Sequence, residues 1–429
     1  MQKIIFICHY FPPETNVGVR RVLFWANYYT NLGLDVTIIT PKRNIDNGNL
    51  SVVDSKVKVV HFDFLSANDV LFENEIDEDN VDTQEFNSNF IRTLMVRFKR
   101  KVVNPIFGQL LDNRLPNILF NCISVFFDRY KFVFSDVAIN KSTVIISTAP
   151  PWPSHLLSVV LSKKYKIPLY LDYRDPFSSN HMFSSLFSKI ETGIDRWLCS
   201  NASGVITVSH VWKDYYSRFN SNVFLARNGF DVEMFRLDTV YDANSVLNMN
   251  SNVISLNYFG TVEHKERFPL VLLELIRVKN LSVEINFFGS CSLVLEYVNK
   301  YPELKSKVFL RGDLHYSDAI SLMKKSMINL VVESTDSENI IANGLVPTKI
   351  YEYMASLRPI IAIGSKNSEF IELLNKSGLL LNHDSSVESL LRVLDVNYLT
   401  TLNVKPNVEY IKKMSRQLVA LDVLDFLRS

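Results

Sequence analysis

Short runs rich in Val, Ile and Phe alternate with amphipathic stretches along almost the whole 429-residue chain. That alternation points to parallel sheets covered by helices, because each strand needs a long crossover before the next one can pair beside it. Strands are expected over Lys3–Cys8, Asp35–Thr40, Val57–Phe62, Thr143–Ser147, Pro168–Asp172, Gly204–Val208 and Asn222–Ala226 in the first half. The second half supplies Val253–Phe259, Val283–Phe288, Lys307–Leu310, Ile328–Val332, Pro359–Ile363 and Gly378–Leu381. Two sheets follow from this, and so do two domains, since a chain of this length exceeds one ordinary core. The seam is placed near Asn228-Gly229-Phe230-Asp231, a turn signal followed by the Asn-rich stretch Tyr241–Asn252. The domains are therefore read as 1–232 and 233–407, with the amphipathic segment 408–429 free to pack on either.

Composition excludes several classes. Hydrophobic residues make up 47% and charged residues 21%, which suits a folded globular protein, and a net charge of +1 leaves no global attraction to nucleic acid. Cys8, Cys122, Cys199 and Cys291 stand far apart, without zinc spacing or pairing, and read as reduced thiols in a cytoplasmic protein. Met1–Cys8 reads as a buried strand and not a signal peptide, and no apolar run is long enough to span a bilayer.

Only 65–135 breaks the alternation. It opens on an acidic stretch, Glu73–Glu85, and continues into Ile91–Val103, which mixes Arg92, Arg97, Lys99, Arg100 and Lys101 with Leu94, Met95 and Phe98. Such a helix either lies on an anionic membrane surface or simply covers the sheet.

The segment Val346–Ala355 carries the strongest chemical signal. It reads as a helix with Pro347 in its first turn, an apolar stripe of Ile350, Tyr353, Met354 and Leu357, and a second face bearing Thr348, Lys349 and Glu352. A helix start with a nearby ammonium favours a phosphate, and Glu352 one turn on suits a ribose diol. The plainer reading is a surface helix with one ion pair. In the same half, Gly260-Thr261 ends a strand and is followed by His264, Lys265 and Arg267. Glycine there allows backbone to approach a ligand at the carboxyl edge of a sheet, and two cations suit a diphosphate.

The first half offers Phe11–Arg21 around Gly18, which matches neither the dinucleotide fingerprint nor the P-loop, so a nicotinamide-dependent oxidoreductase is not expected. Asp172-Tyr173-Arg174-Asp175 follows a strand and forms either a catalytic or sugar-hydroxyl cluster or a self-neutralised brace. Its spacing does not suit a metal. His155 and His210 are read as structural, and no G-x-S-x-G elbow appears.

Taken in order, these pieces resemble the retaining glycosyltransferases of family 4, bacterial surface-polysaccharide type. They are Tyr10–Glu14 with Gly18, Thr148–Pro151 with Pro153–His155, Asp172–Phe177, Val205–Ser209, Asn228–Asp231, Phe259–Thr261 and Val346–Ala355 with Arg358–Ile360. The resemblance implies an α/β chain of GT-B architecture, two Rossmann-like domains facing each other across a cleft. The acceptor domain would come first and the nucleotide-sugar donor domain second.

It further implies transfer of a sugar from a nucleotide-diphosphate sugar to a hydroxyl of a glycan or lipid-linked glycan, with no cofactor and no metal. Lys265 and Arg267 would stabilise the leaving diphosphate, with Arg174 and Asp175 as further catalytic candidates. Gly18, Gly260, Thr261, Asn343, Gly344, Pro347, Thr348, Lys349 and Glu352 would line the donor site, Glu352 on the ribose. The final helix would cross back to the first domain, and the enzyme would be cytoplasmic, with peripheral membrane contact through 91–103. Two departures stand out. The family's first glutamate is Gly344 here, and Arg174 stands where many members have histidine. A nucleotide-sugar epimerase on the same scaffold and a non-catalytic partner subunit are the rival readings.

Overall fold

The computed structural model describes residues 1–14, 17–41, 52–62, 137–178, 188–237, 253–335, 341–382 and 385–429. The stretch 65–135, with its basic segment 91–103 and Cys122, and the Asn-rich stretch 241–252 lie outside the described residues. The chain divides into two compact units. The first comprises Met1–Thr207, Lys213–Leu225 and Asp425–Ser429, and the second Val208–Trp212 and Ala226–Leu424.

The first unit is built on seven parallel strands, β1 (Lys3–Ile7), β2 (Asp35–Pro41), β3 (Lys58–Phe62), β4 (Thr143–Ala149), β5 (Leu169–Tyr173), β6 (Gly204–Thr207) and β7 (Val223–Leu225). Their order in the sheet is β3-β2-β1-β4-β5-β6-β7. The strands β1, β4 and β5 are buried along their whole length, which is why they read as unbroken apolar runs. Helices α1 (Val17–Asn31), α2 (Pro153–Tyr165), α3 (Ser188–Ser200) and α4 (His210–Tyr216) belong to its connections. Phe426, near the end of the chain, stacks on Phe224 of β7 at 4.8 Å and meets Tyr170 of β5 edge-on at 5.3 Å.

The second unit has five parallel strands, β8 (Ile254–Phe259), β9 (Val283–Phe288), β10 (Val308–Gly312), β11 (Ile328–Val332) and β12 (Ile360–Ile363), in the order β10-β9-β8-β11-β12. Its helices are α5 (Leu270–Val278), α6 (Ser292–Lys300), α7 (Tyr316–Lys325), α8 (Lys349–Ala355), α9 (Glu369–Lys376), α10 (Val387–Val393), α11 (Val396–Thr401), α12 (Val408–Lys412) and α13 (Arg416–Arg428). The order reverses direction between β8 and β11, and in such sheets ligands bind at the carboxyl ends of the strands beside that reversal.

One expected strand is not formed: Gly378–Leu381 contributes only an isolated bridge between Leu380 and Ile360. Ile360 N donates to Leu379 O and Leu381 N to Ile360 O, both at 2.9 Å, so the segment joins β12 at that one position, while Asn407 N donates to Ser377 O just ahead of it.

Candidate functional site

Four of the five strands in the second sheet run out into glycine: Phe259-Gly260, Phe288-Gly289, Arg311-Gly312 and Ile363-Gly364. The exception is β11, which ends in Glu333. Gly260 and Gly289 hold φ of +135° and +126°, which L side chains rarely adopt, and a Cβ at Gly289 would meet Gly260 O at 2.4 Å. The two backbones therefore press together, with Gly260 N donating to Phe288 O at 2.8 Å.

Three sequence-predicted residues meet at this edge, beside the reversal point. A Cβ placed on Gly260 would stand 3.4 Å from Lys349 Nζ, which itself lies 3.9 Å from the centre of the Tyr258 ring. Arg267 sits in a short 3-10 turn, Lys265–Arg267, and its Nε donates to the Glu333 carboxylate at 3.1 Å. Burial pushes the Lys349 ammonium down to about 7, Arg267 pushes the same way, and Glu333 opposes them. A half-buried amine poised this way is suited to an anion that brings its own charge beside it. Lys265 in the same turn is exposed, as is Thr261, whose carbonyl accepts from Tyr258 Oη at 3.1 Å.

The structure corrects part of the expected helix. Pro347 lies ahead of α8, which starts at Lys349, and its carbonyl accepts from Ile350 N at 3.2 Å, so it leads the chain into the helix. The stripe Ile350, Tyr353, Met354 and Leu357 is buried as expected, but Tyr351 and Glu352 are buried too. The helix is sunk into the unit, and only Thr348 and Lys349 at its start are half-exposed. Glu352 is 4% exposed; its Oε1 accepts from Tyr316 Oη at 2.6 Å and lies 3.5 Å from Arg416 Nη2. It is thus braced by two other elements, α7 and α13.

Asn343 and Gly344 are buried in a 3-10 turn, Ala342–Gly344. A Cβ at Gly344 would stand 2.5 Å from Trp212 Nε1, and that indole donates to Ile341 O at 2.9 Å. Where the resemblance has a glutamate, the space is filled by an indole ring.

The remaining candidates lie in the first unit. Asp172, fully buried, accepts from Arg21 Nε at 3.1 Å and Nη2 at 2.8 Å and from Thr148 Oγ1 at 2.9 Å. Its partner is thus an arginine of α1 and not Arg174. Arg174 donates instead to the carbonyls of Ala149 at 3.3 Å and Pro150 at 2.5 Å, through a guanidinium whose charge burial disfavours. Asp175 adjoins it, and Gly18 occupies the first turn of α1. His155 is fully buried, hydrogen-bonded through Nδ1 to Ser147 Oγ at 2.8 Å, and burial holds it down to about 3. His210, which belongs to the second unit, is exposed, and its backbone N–H donates to Glu369 at 2.7 Å.

Sequence reasoning missed Glu333, Tyr258 and Trp212. The signal for Glu333 was present in the strand ends, as the one carboxylate among glycines. Among the described residues no group of His, Cys, Asp or Glu stands ready to hold a metal ion, and no helix is long and apolar enough to cross a membrane.

No protein-family model matches the chain, and no curated protein matches it. Solved structures do. Sucrose-phosphate synthase from Thermosynechococcus elongatus superposes with a TM-score of 0.65 at 15% identity, over 100% of this chain and 98% of that one. TarM, known from S. aureus, gives 0.61 at 14% identity over 100% and 99%. HepE of Anabaena, solved in complex with UDP, gives 0.58 at 12% identity over 99% of each chain. The architecture these proteins share with the chain, an α/β fold on two parallel sheets, is that of the GT-B glycosyltransferases.

Proposed function

We propose that the chain is a retaining glycosyltransferase of the family 4 kind. It moves a sugar from a nucleotide-diphosphate sugar to a hydroxyl of a glycan or lipid-linked glycan acceptor, in the building of a surface polysaccharide. The observation that carries this reading is the pairing of Arg267 and Lys349 beside Gly260 at the reversal point of the second sheet. There a diphosphate meets two cationic side chains and closely approaching backbone. Negative charge grows on the diphosphate as the bond to the anomeric carbon breaks, and fixed cations placed where that charge develops lower the barrier. Arg267 and Lys349 fill that role inside the pocket, with the exposed Lys265 at its rim. Glu352, braced by Tyr316 and Arg416, takes the ribose hydroxyls in this reading. The chain works at the cytoplasmic side, without a cofactor of its own, and 91–103 touches the membrane surface where the lipid-linked acceptor resides.

One observation favours a second reading. Trp212 fills the space at Gly344, so the loop lacks the carboxylate that the resemblance places on the sugar, and a partner subunit that binds nucleotide without turnover would look the same. Incubation of the protein with a panel of nucleotide sugars separates these. Transfer to an added glycan, or slow hydrolysis of one donor, supports the transferase. Nucleotide binding without turnover favours the partner subunit, and sugar isomerisation with donor alone favours an epimerase.

A further inference from the structure

We infer that the outward face of α3, with the end of α2 beside it, is a docking surface for an anionic lipid bilayer. Trp197 enters the headgroup layer, and the cations around it meet the lipid phosphates. This surface lies in the first unit, is separate from the contact assigned to 91–103, and does not depend on the diphosphate reading of the second unit.

Both acids of α3 are on its inner face. Glu191 and Asp195 are buried, and Asp195 accepts from Tyr173 Oη of β5 at 2.8 Å and from Ser178 N at 2.9 Å. The outer face, Lys189, Ile190, Gly193, Arg196, Trp197 and Ser200, repeats at helical spacing and is exposed along its whole length. Two cations therefore stand with two large apolar side chains on a stripe that has no acid. A single exposed apolar residue needs no explanation. Here Ile190 is 52% exposed and Trp197 43%, two turns apart on one face, while Trp25 and Trp212 are buried and Trp152 is half-buried.

The end of α2 widens the face. That helix contains no Asp or Glu, closes on Lys163 and Lys164 and is followed by Lys166, all exposed, and Lys163 Nζ lies 5.3 Å from the centre of the Trp197 ring. On the other flank the guanidinium carbons of Arg196 and Arg218 lie 5.8 Å and 5.6 Å from the centre of the Phe219 ring. There α4 adds the exposed Asp214, set against Lys213 and Arg218. Asp425 near the end of the chain lies across the sheet, because its neighbour Phe426 packs on Tyr170, which points to the face of β5 opposite Tyr173. The chain as a whole carries a net charge of +1, so the excess of cations is particular to this face. Charge complementarity selects an anionic partner, and the apolar pair selects lipid among anionic partners. An indole settles at the boundary between headgroups and acyl chains, and an aliphatic side chain gains there by leaving water.

The test mixes the full chain with vesicles of phosphatidylglycerol and phosphatidylcholine in equal parts, made with and without bromine on the acyl chains, where it quenches tryptophan within the bilayer. The protein should float with these vesicles and not with phosphatidylcholine alone, should be released as salt is raised, and should lose emission to the brominated lipid. Trp197→Phe should abolish that quenching. Lys163→Gln, Lys189→Gln and Arg196→Gln combined should lower partitioning about a hundredfold, at roughly fivefold per cation, and the charge-preserving Lys163→Arg with Lys189→Arg should not. If the triple variant does not fold, the quenching and its loss in Trp197→Phe decide alone. Flotation without quenching of Trp197 would overturn the inference and leave the membrane contact to 91–103, and failure to float would overturn it as well. So would a Trp197 that acrylamide cannot reach in the absence of vesicles, since the rest of the chain would then already cover the face. Protection of Trp197 from acrylamide by an RNA oligonucleotide, with none from vesicles, would overturn it in favour of a nucleic-acid surface.

Discussion

Gly344 shows how one residue can separate a chain from the pattern it resembles. Its Cβ position lies 2.5 Å from Trp212 Nε1 and 2.9 Å from Ser209 Oγ, so restoring the glutamate overpacks the turn. Gly344→Glu should lower unfolding free energy by about 1–3 kcal/mol, read as a lowered melting temperature, with no gain in turnover. A variant that is both stable and more active would contradict the packing argument. At Gly260, Gly260→Ala must hold φ near +135° and brings a methyl to 3.4 Å from Lys349 Nζ. It should weaken nucleoside diphosphate binding more than Thr261→Ala next door, whose side chain is exposed. Lys349, Arg267 and Gly260 were singled out in the sequence because their residue types suit an anion, and the structure brings them together. Glu333 was not, because its meaning depends on which strand ends become neighbours, and that is fixed only when β11 pairs with β8.

The strands were the most legible elements, since burial on both faces writes an unbroken apolar run into each. Gly378–Leu381 has the same composition but pairs with β12 at Ile360 alone, and the chain just ahead of it is tied to Asn407 instead. The Asp172–Phe177 segment at the end of β5 was legible as a charged cluster but not in its pairing, because Arg21 is far away in sequence. Removing one partner of a buried pair leaves the other charge uncompensated, so Arg21→Ala should cost about 3–5 kcal/mol of unfolding free energy in the first unit, measured in urea. A loss below that of an ordinary surface substitution would show that the pair does not brace β5.

In α2, His155 gives a pH-dependent prediction. Its folded pKa of about 3 lies below the unfolded value, so the unfolded chain binds the extra proton as pH falls below roughly 6.5. The stability that His155 contributes is present above that pH and lost on acidification toward pH 3. The difference in unfolding free energy between the unsubstituted protein and His155→Gln should therefore shrink by about 1.4 kcal/mol per unit as pH falls through that window. A difference independent of pH would contradict the buried neutral ring.

For the whole molecule, the seven-stranded and five-stranded parallel sheets give each unit a carboxyl edge, and the candidate residues collect at those edges. In the second unit the edge carries an arginine, a lysine and a carboxylate side by side, and that cluster is the basis of the transferase reading. Calorimetric titration of the protein and of Arg267→Ala with UDP, ADP and GDP at pH 7 tests it most directly. The account predicts saturable binding of at least one nucleotide, weakened by the substitution about tenfold to a hundredfold, as expected for loss of a hydrogen bond to a charged group. Equal affinity in both proteins, or no binding to either, would contradict it.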